Sequence, residues 1–289
     1  MKYAIEEICE RAGISAAQLA QRIDVTLPTI NKWVNGKTTP KSGTQDALYE
    51  MCKTLGVTAD DLVVRKISAE QQNVSFDEKR TILYHGSKSG IRGEIRPCSR
   101  EMCDFGQGFY MGTIPEQPST LVCGFPDSVL YVVSIDTSNL KVLNVPVGMD
   151  WAMLVAFHRG KMDGVRGSSL YAKCAHMLDG YDVITGCIAN DKMFYVLDSF
   201  FEGSITDRAL INSLSALKLG EQFVCKTQAA CDSVCIECQV PISPIDRRML
   251  SDKYQEMRIR GRQMADEICK QYRREGRYFD EILNEAARE

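Results

Sequence analysis

The sequence lacks any run of ~18 uninterrupted apolar residues, the length a membrane-spanning helix needs, so no membrane partner is expected. Its first residues, MKYAIEEICERAG, carry acids where a signal peptide would carry an apolar stretch, which points to a cytoplasmic protein. A dominant charge is missing as well. The net charge of -3 and a pI near 5.8 exclude a uniformly basic nucleic-acid binder while leaving a local basic face open. Twelve cysteines are scattered along the chain without a secretory signal, so reduced thiols are expected rather than a disulfide framework. The one cluster, Cys231, Cys235 and Cys238 in CDSVCIEC, has no second C-x-x-C and no H-x-x-x-H partner at zinc-site spacing, so no metal is expected. What remains is ordinary: 44% hydrophobic and 25% charged residues over 289 positions, a globular composition long enough for about two domains.

Residues 1–66 read as short amphipathic helices separated by turn signals, with Ile5 and Ile8 opening an apolar stripe. In SAAQLAQRIDVTLPTINKWVNGKTTP, Ser15 is placed to cap a helix carrying Leu19, Ala20 and Ile23 on one face. Val25 and Thr26 then turn into a second helix, with Ile30 and Trp33 inward and Leu27, Pro28, Asn31 and Lys32 outward. Small and polar side chains at the start of that helix suit base edges in a major groove, and Asn35, Lys37 and Thr38 follow in a Gly-containing turn suited to phosphates. The segment resembles the Cro and phage-repressor type of helix-turn-helix domain, through QLAQRIDVTLPTINKWVNGKTTP and the downstream LYEMCKTLGVTADDLV. It departs from that pattern at Val34, where the family often carries Glu, and at Pro28, which is tolerable in a first turn. The resemblance implies DNA as a partner. Nine Lys and Arg against eight Asp and Glu leave the segment at about +1, so a homodimer on two half-sites is expected to supply enough phosphate contacts. A helical bundle used for protein contacts is the competing reading.

Residues 67–80, ISAEQQNVSFDEKR, are polar and without period, and a linker is expected there. Beyond it TILYHGS, VLYVVSID, YDVITGCIA and EQFVCKT read as strands, with helical stretches WAMLVAFHRGK, SSLYAKCAHML and TDRALINSLSALK between them. The fold class is therefore α+β: an all-α unit at 1–66, a mixed α/β unit at 81–245 and a helical tail at 246–289. In the second unit His85, Gly86 and Ser87 end a strand, where a glycine lets a ligand approach the backbone closely. In CDFGQGFYMGT, Gly106 and Gly108 flank a bend before Phe109 and Tyr110, a spacing distinct from the dinucleotide-binding GxGxxG.

YHGS followed about twenty residues later by DFGQGFYMGT resembles the two opening strands of the ADP-ribosyltransferase fold in its diphtheria-toxin and poly(ADP-ribose) polymerase branch. The span from 81 to about 240 is similar to a poorly characterised bacterial family of such domains, with CIANDKMFYVL and GEQFVCKT as further shared motifs. The resemblance implies NAD as substrate, with His85 on the adenosine-side ribose, the Gly86 backbone on the nicotinamide carboxamide and Tyr110 stacked on the nicotinamide ring. The third position of the family pattern, usually Glu, falls in LGEQFVCKT and is assigned to Gln222. Period-two alternation puts Glu221 and Gln222 on opposite faces, so only one of them can enter a cleft.

An amide at that position hydrogen-bonds the ribose but gives no Coulomb attraction to an oxocarbenium-like state, which favours mono-ADP-ribosyl transfer, or NAD hydrolysis, over polymer formation. The acceptor, protein or nucleic acid, is left open. Arg100, in the cofactor set, and Asp104 lead into the second strand, where they meet a pyrophosphate or an acceptor, or form a solvated loop pair. Asn190 and Asp191 are a helix cap or catalytic groups. His158, His176, Trp151 and Arg159 are read as core or surface residues. In the tail, Met249, Tyr254, Met257, Met264, Ile268 and Tyr272 recur at near-helical spacing, so one long helix and a shorter one are expected. Between 247 and 277, ten Lys and Arg face five Asp and Glu, a solvated helix or a basic face for nucleic acid. The combined expectation is a mono-ADP-ribosyltransferase targeted by its helix-turn-helix, or autoregulated through it as in toxin–antitoxin systems. The alternative is a transcription regulator whose degenerate transferase fold senses NAD or a related nucleotide without turnover.

Overall fold

A computed structural model describes residues 1–71, 77, 79–188, 191–216, 220–272 and 275–288. Five helices come first: α1 (Lys2–Ala12), α2 (Ala16–Arg22), α3 (Leu27–Val34), α4 (Ser42–Thr54) and α5 (Ala59–Gln71). A mixed α+β unit follows, with β1 (Thr81–Ser87), β2 (Phe109–Gly112), α6 (Glu116–Val122), β3 (Val129–Ile135), β4 (Val142–Val145), α7 (Met149–His158) and α8 (Ser169–His176). It continues through β5 (Val183–Cys187), α9 (Asp191–Phe201), α10 (Asp207–Ala216), β6 (Glu221–Cys225), α11 (Gln228–Asp232) and β7 (Val234–Pro241). The chain ends in the long α12 (Pro244–Gln271) and the short α13 (Phe279–Ala286).

The seven strands form one sheet in the order β4-β5-β6-β2-β1-β3-β7, antiparallel except for the parallel pair β4 and β5. Alternation sorts their side chains between two faces. Leu83, Phe109, Met111, Tyr131 and Val133 form an apolar cluster on one face. On the other, Ile184 and Val224 join the largest core with α7, α9 and α10, while Leu130 and Val132 pack with α5. The four segments read as strands become β1, β3, β5 and β6, and the three helical stretches become α7, α8 and α10. β4 and β7, with exposed or half-buried residues at most positions, carry too little apolar contrast to stand out in the sequence.

The first five residues of the expected linker, 67–71, are helix. α5 runs on to Gln71 because Val63 and Ile67 continue its buried stripe and pack against Leu130, Val132 and Val240 of the sheet. The tail begins earlier than expected, at Ser243, whose hydroxyl accepts from the Asp246 amide while the Asp246 carboxylate accepts from the Ser243 amide at 2.6 Å. That reciprocal cap satisfies two backbone donors at the entry to α12. α12 then packs its first turns on the N-terminal helices. Ile245, Met249 and Leu250, with Val122 and Cys123 from the end of α6, are buried in the same cluster as Ile5, Ile8, Leu48 and Leu62. Each such aliphatic side chain removed from water contributes about 1.5–3 kcal/mol. Polar links reinforce this seam. Lys66 pairs with Asp246, both buried; the Tyr49 hydroxyl donates to Asp252; and Lys253 reaches Asp60 at 2.6 Å.

Candidate functional site

The helix-turn-helix presents its reading face outward. Ser15 caps α2 through a capping box with Gln18, accepting from the Gln18 amide at 3.2 Å while the Ser15 amide donates to Gln18 Oε1 at 2.7 Å. Leu19 and Ala20 are buried, and in α3 so are Ile30 and Trp33. That inward pair leaves Leu27, Pro28, Asn31 and Lys32 exposed along one side of α3, with Asn35 and Lys37 exposed just beyond it. Pro28 sits in the first turn, where the missing amide costs no hydrogen bond. Asn35 differs from the others because its amide donates to the Asn31 carbonyl at 2.8 Å, closing the end of α3. Its first role is therefore to end the helix.

The second set of residues surrounds β1, β2 and β6. Tyr84 pairs with Gly112 and Gly112 with Gln222, so Tyr110, Gly112 and Gln222 share a face with Gly86. His85, Phe109, Met111, Phe223 and Glu221 share the other. The trio His85, Tyr110 and Gln222 is thus brought to neighbouring strands but not to one face. His85 stacks on Phe109 with ring centroids 4.3 Å apart, and its Nδ1 lies 2.7 Å from the Tyr110 carbonyl. A carbonyl only accepts, so Nδ1 carries the proton and Nε2 is left as an acceptor. Burial lowers the pKa of His85 and favours this neutral form, against the raising effect of that same carbonyl. Ser87 ends the strand half-buried.

On the opposite face the polar groups are already engaged. The Tyr110 hydroxyl donates to the Gly106 carbonyl at 2.6 Å and accepts from the Phe105 amide at 3.1 Å, and its ring packs against the main core. Burial first, then the nearby Cys103 and Asp104, push its pKa up. Gln222 is 4% exposed and donates to Asp104 Oδ2 at 3.2 Å and to the Cys187 carbonyl at 2.9 Å. Asp104 is buried too and binds Arg159 at 2.6 Å, whereas Arg100 lies exposed. The two loop residues read together in the sequence therefore separate. Asp104 belongs to a buried network, because a carboxylate taken out of water needs a cation and hydrogen bonds around it.

The glycines of both motifs have packing reasons. A Cβ on Gly86 would lie 2.5 Å from the Pro118 carbonyl oxygen, so α6 occupies the space through which a ligand would approach that backbone. Gly106 has φ +69°, and a Cβ there would meet the His158 ring at 2.8 Å. His158 is held neutral, its pKa lowered to about 4 by burial and then by Lys226. Lys226 in turn donates to the Phe105 and Gln107 carbonyls, both at 2.6 Å, and clamps the bend. Sequence reasoning missed Lys226, Pro118 and the partnership of Arg159, although a lysine directly after an apolar strand was a visible signal.

The remaining candidates are dispersed. Trp151 is fully buried, and His176 pairs with Asp179 at 2.7 Å in the open. Asn190 lies outside the described residues, and Asp191 opens α9. Cys231 is buried on α11, while Cys235 is exposed and Cys238 half-buried on β7. Among the described residues no group of three His, Cys, Asp or Glu side chains could hold a metal ion, and no helix is long and apolar enough to cross a membrane.

Two family models match the chain. One, described as helix-turn-helix, covers residues 5–62, and one described as protein of unknown function (DUF3990) covers residues 81–235. The first supports DNA as a partner. No curated protein and no solved structure matches the chain.

Proposed function

We propose that this chain, which belongs to the DUF3990 family of proteins of unknown function, is a DNA-binding transcription regulator whose second unit binds NAD or a related nucleotide without turning it over. The observation that carries the reading is the state of Gln222. The residue that the transferase resemblance puts in the catalytic carboxylate's place is buried, neutral and committed to Asp104 and the Cys187 carbonyl. It offers neither charge nor a free donor to a ribose. Tyr110, with its hydroxyl held by the 105–106 backbone, is likewise a structural residue. What stays available for a ligand is the neutral His85, whose Nε2 can accept a ribose hydroxyl. The exposed side of α3 supports the DNA half of the reading.

The test measures binding and turnover together. NAD is expected to raise Tm of the full chain without release of nicotinamide, and His85→Ala is expected to abolish the rise. Nicotinamide released at a rate that His85→Ala removes would overturn the sensor reading. It would support the second one, mono-ADP-ribosyl transfer to a protein or nucleic acid. One observation supports that second reading: Glu221 is exposed and lies on the same sheet face as His85, where it offers the carboxylate that Gln222 lacks. Glu221→Gln separates the two, since it would silence a transferase and leave a sensor unchanged.

A further inference from the structure

α12 runs antiparallel to α5 and parallel to α4, and the three helices leave an open groove where they meet. Asp246 and Lys253 of α12 pair with Lys66 and Asp60 of α5, while Arg248 and Asp252 take Asp46 and Tyr49 of α4. The groove, about 640 Å³, is lined by Tyr49, Lys53, Asp60, Asp252 and Ile259 among others. Asp60 also lines a second groove, about 500 Å³, that follows α5 as far as Ser68. Each groove holds an aliphatic side chain that the fold leaves in water: Ile259 is 58% exposed and Val64 55%. Because α5 and α12 run in opposite directions, these two lie towards opposite ends of one strip. From Ser68 through the Asp60–Lys253 pair to Arg262 the strip is about 25 Å long.

The two ends carry opposite charge. Around Val64, Glu7, Glu10, Asp60 and Asp61 outnumber Arg11 and Arg65. Around Ile259 stand Arg258, Arg260 and Arg262, all exposed. Among the described residues only Arg260 of these three approaches a carboxylate, Glu256 at 3.9 Å, while Arg258 and Arg262 lie over the Tyr254 and Tyr195 rings. Asp266, further along α12, accepts from the Tyr195 hydroxyl. We propose that this strip is the face on which two copies of the chain pair about a two-fold axis, acidic end on basic end, with Val64 of each copy against Ile259 of the other. A two-fold contact needs a patch complementary to itself, and a strip that is acidic at one end, basic at the other and apolar near both meets that need when turned end for end. Every attraction is then made twice. The length suits an interface that buries about 800 Å² per partner. Among the described residues no member of α3 lines either groove, so the pairing leaves the DNA-reading side open.

Sedimentation equilibrium on the full chain tests this, with two charge-reversed variants at exposed positions. The wild type is expected at twice the 32.4 kDa of the chain at micromolar concentration, and to dissociate as salt rises. Glu10→Lys with Ser68→Lys makes the acidic end basic, and Arg260→Glu with Arg262→Glu makes the basic end acidic. Each double variant alone faces like charge twice, so its dimer should weaken about a hundredfold or more, with Tm unchanged at a concentration where the wild type is monomeric. Mixed in equal amounts, the two variants should pair again, because one heterodimer joins reversed end to reversed end and native end to native end. Ile259→Ser changes no charge and should weaken the dimer at least about tenfold, a check that does not depend on the reversed variants. Dimers that survive all three variants overturn the proposal, and so does a mixture that stays monomeric. A wild type that remains monomeric at high micromolar concentration, while Arg260→Glu with Arg262→Glu lowers DNA affinity, assigns the basic end to nucleic acid and overturns it too.

Discussion

Asp246→Asn removes one charge from the seam between the N-terminal helices and α12 while keeping the shape of the side chain and an oxygen that can still cap the Ser243 amide. Lys66 and Asp246 are 5% and 2% exposed, and one Asp246 oxygen has no hydrogen-bond partner at all. Burial by itself would raise the pKa of Asp246; Lys66 beside it and the Ser243 amide overcome this and hold the carboxyl below its ordinary value. The Asp246 carboxylate is thus ionised in a dry seam, and removing either partner of the ion pair leaves a buried charge uncompensated, a loss of about 3–5 kcal/mol. Against a total stability of roughly 5–15 kcal/mol this is a large fraction. It should lower Tm by roughly 6–15 °C.

Urea denaturation checks the magnitude, and the two tryptophans check where it acts. Trp33 lies in the N-terminal core and Trp151 in the core of the second unit. If the shared core makes one cooperative body, both report a single transition, and Asp246→Asn shifts them together. Lys66→Met combined with Asp246→Asn discards both charges and should recover to within about 1–2 kcal/mol of the wild type. A single variant that loses less than about 1 kcal/mol refutes the buried-charge argument. So does a double variant that loses as much as the single one. Separate transitions at Trp33 and Trp151 refute the claim of a common body.

Three further outcomes follow from the same structure. Asn31→Ala should cost about 1–3 kcal/mol on a selected DNA and relax its sequence preference, whereas Lys37→Ala should weaken all sequences alike and reduce the salt slope by about one; anisotropy titrations across salt concentration distinguish them. Gly106→Ala places a side chain in a left-handed backbone position and against His158, so a loss of at least about 1–3 kcal/mol in chemical denaturation is expected. His158 has a folded pKa of about 4 against about 6.5 unfolded, so the unfolded chain binds more protons between those values. Its contribution is present above about pH 6.5 and fades as pH falls to about 4, by up to about 1.4 kcal/mol per pH unit, and His158→Gln should flatten that part of the stability profile.

Much of this protein could be read from periodicity alone. α2 and α3 follow from Ser15, Leu19, Ile30 and Trp33, since a cap and an inward stripe at helical spacing leave few other solutions, and the outward residues are what remains. The strands β1, β3, β5 and β6 follow from β-branched and aromatic runs in the same way. The joints between units could not be read, because they depend on partners far away in sequence. Ile67 looks like one apolar residue in a polar stretch until Leu130 and Val240 are seen to cover it. Lys66 and Asp246, 180 positions apart, look like solvated charges until α12 is laid over α5.

The candidate cleft shows the same limit at the scale of one residue. Alternation along EQFVC states that Glu221 and Gln222 point opposite ways, but a single strand carries no mark of which way is the cleft. That is fixed by the neighbouring strands: Gly112 opposite Gln222 and Tyr84 opposite Gly112 put Gln222 with Tyr110 and Glu221 with His85. The resulting division assigns different work to the two faces. On one, Gln222, Asp104 and Arg159 satisfy one another while Tyr110 and Lys226 hold the Phe105–Gly106 bend. On the other, His85 presents an unengaged ring nitrogen and Glu221 an exposed carboxylate. On the sensor reading, substitution of His85 should therefore alter ligand binding first, while Glu221→Gln leaves it unchanged. Substitutions of Gln222 or Tyr110 should show the reverse order: denaturation curves shift first, and any effect on ligand follows from the loss of fold.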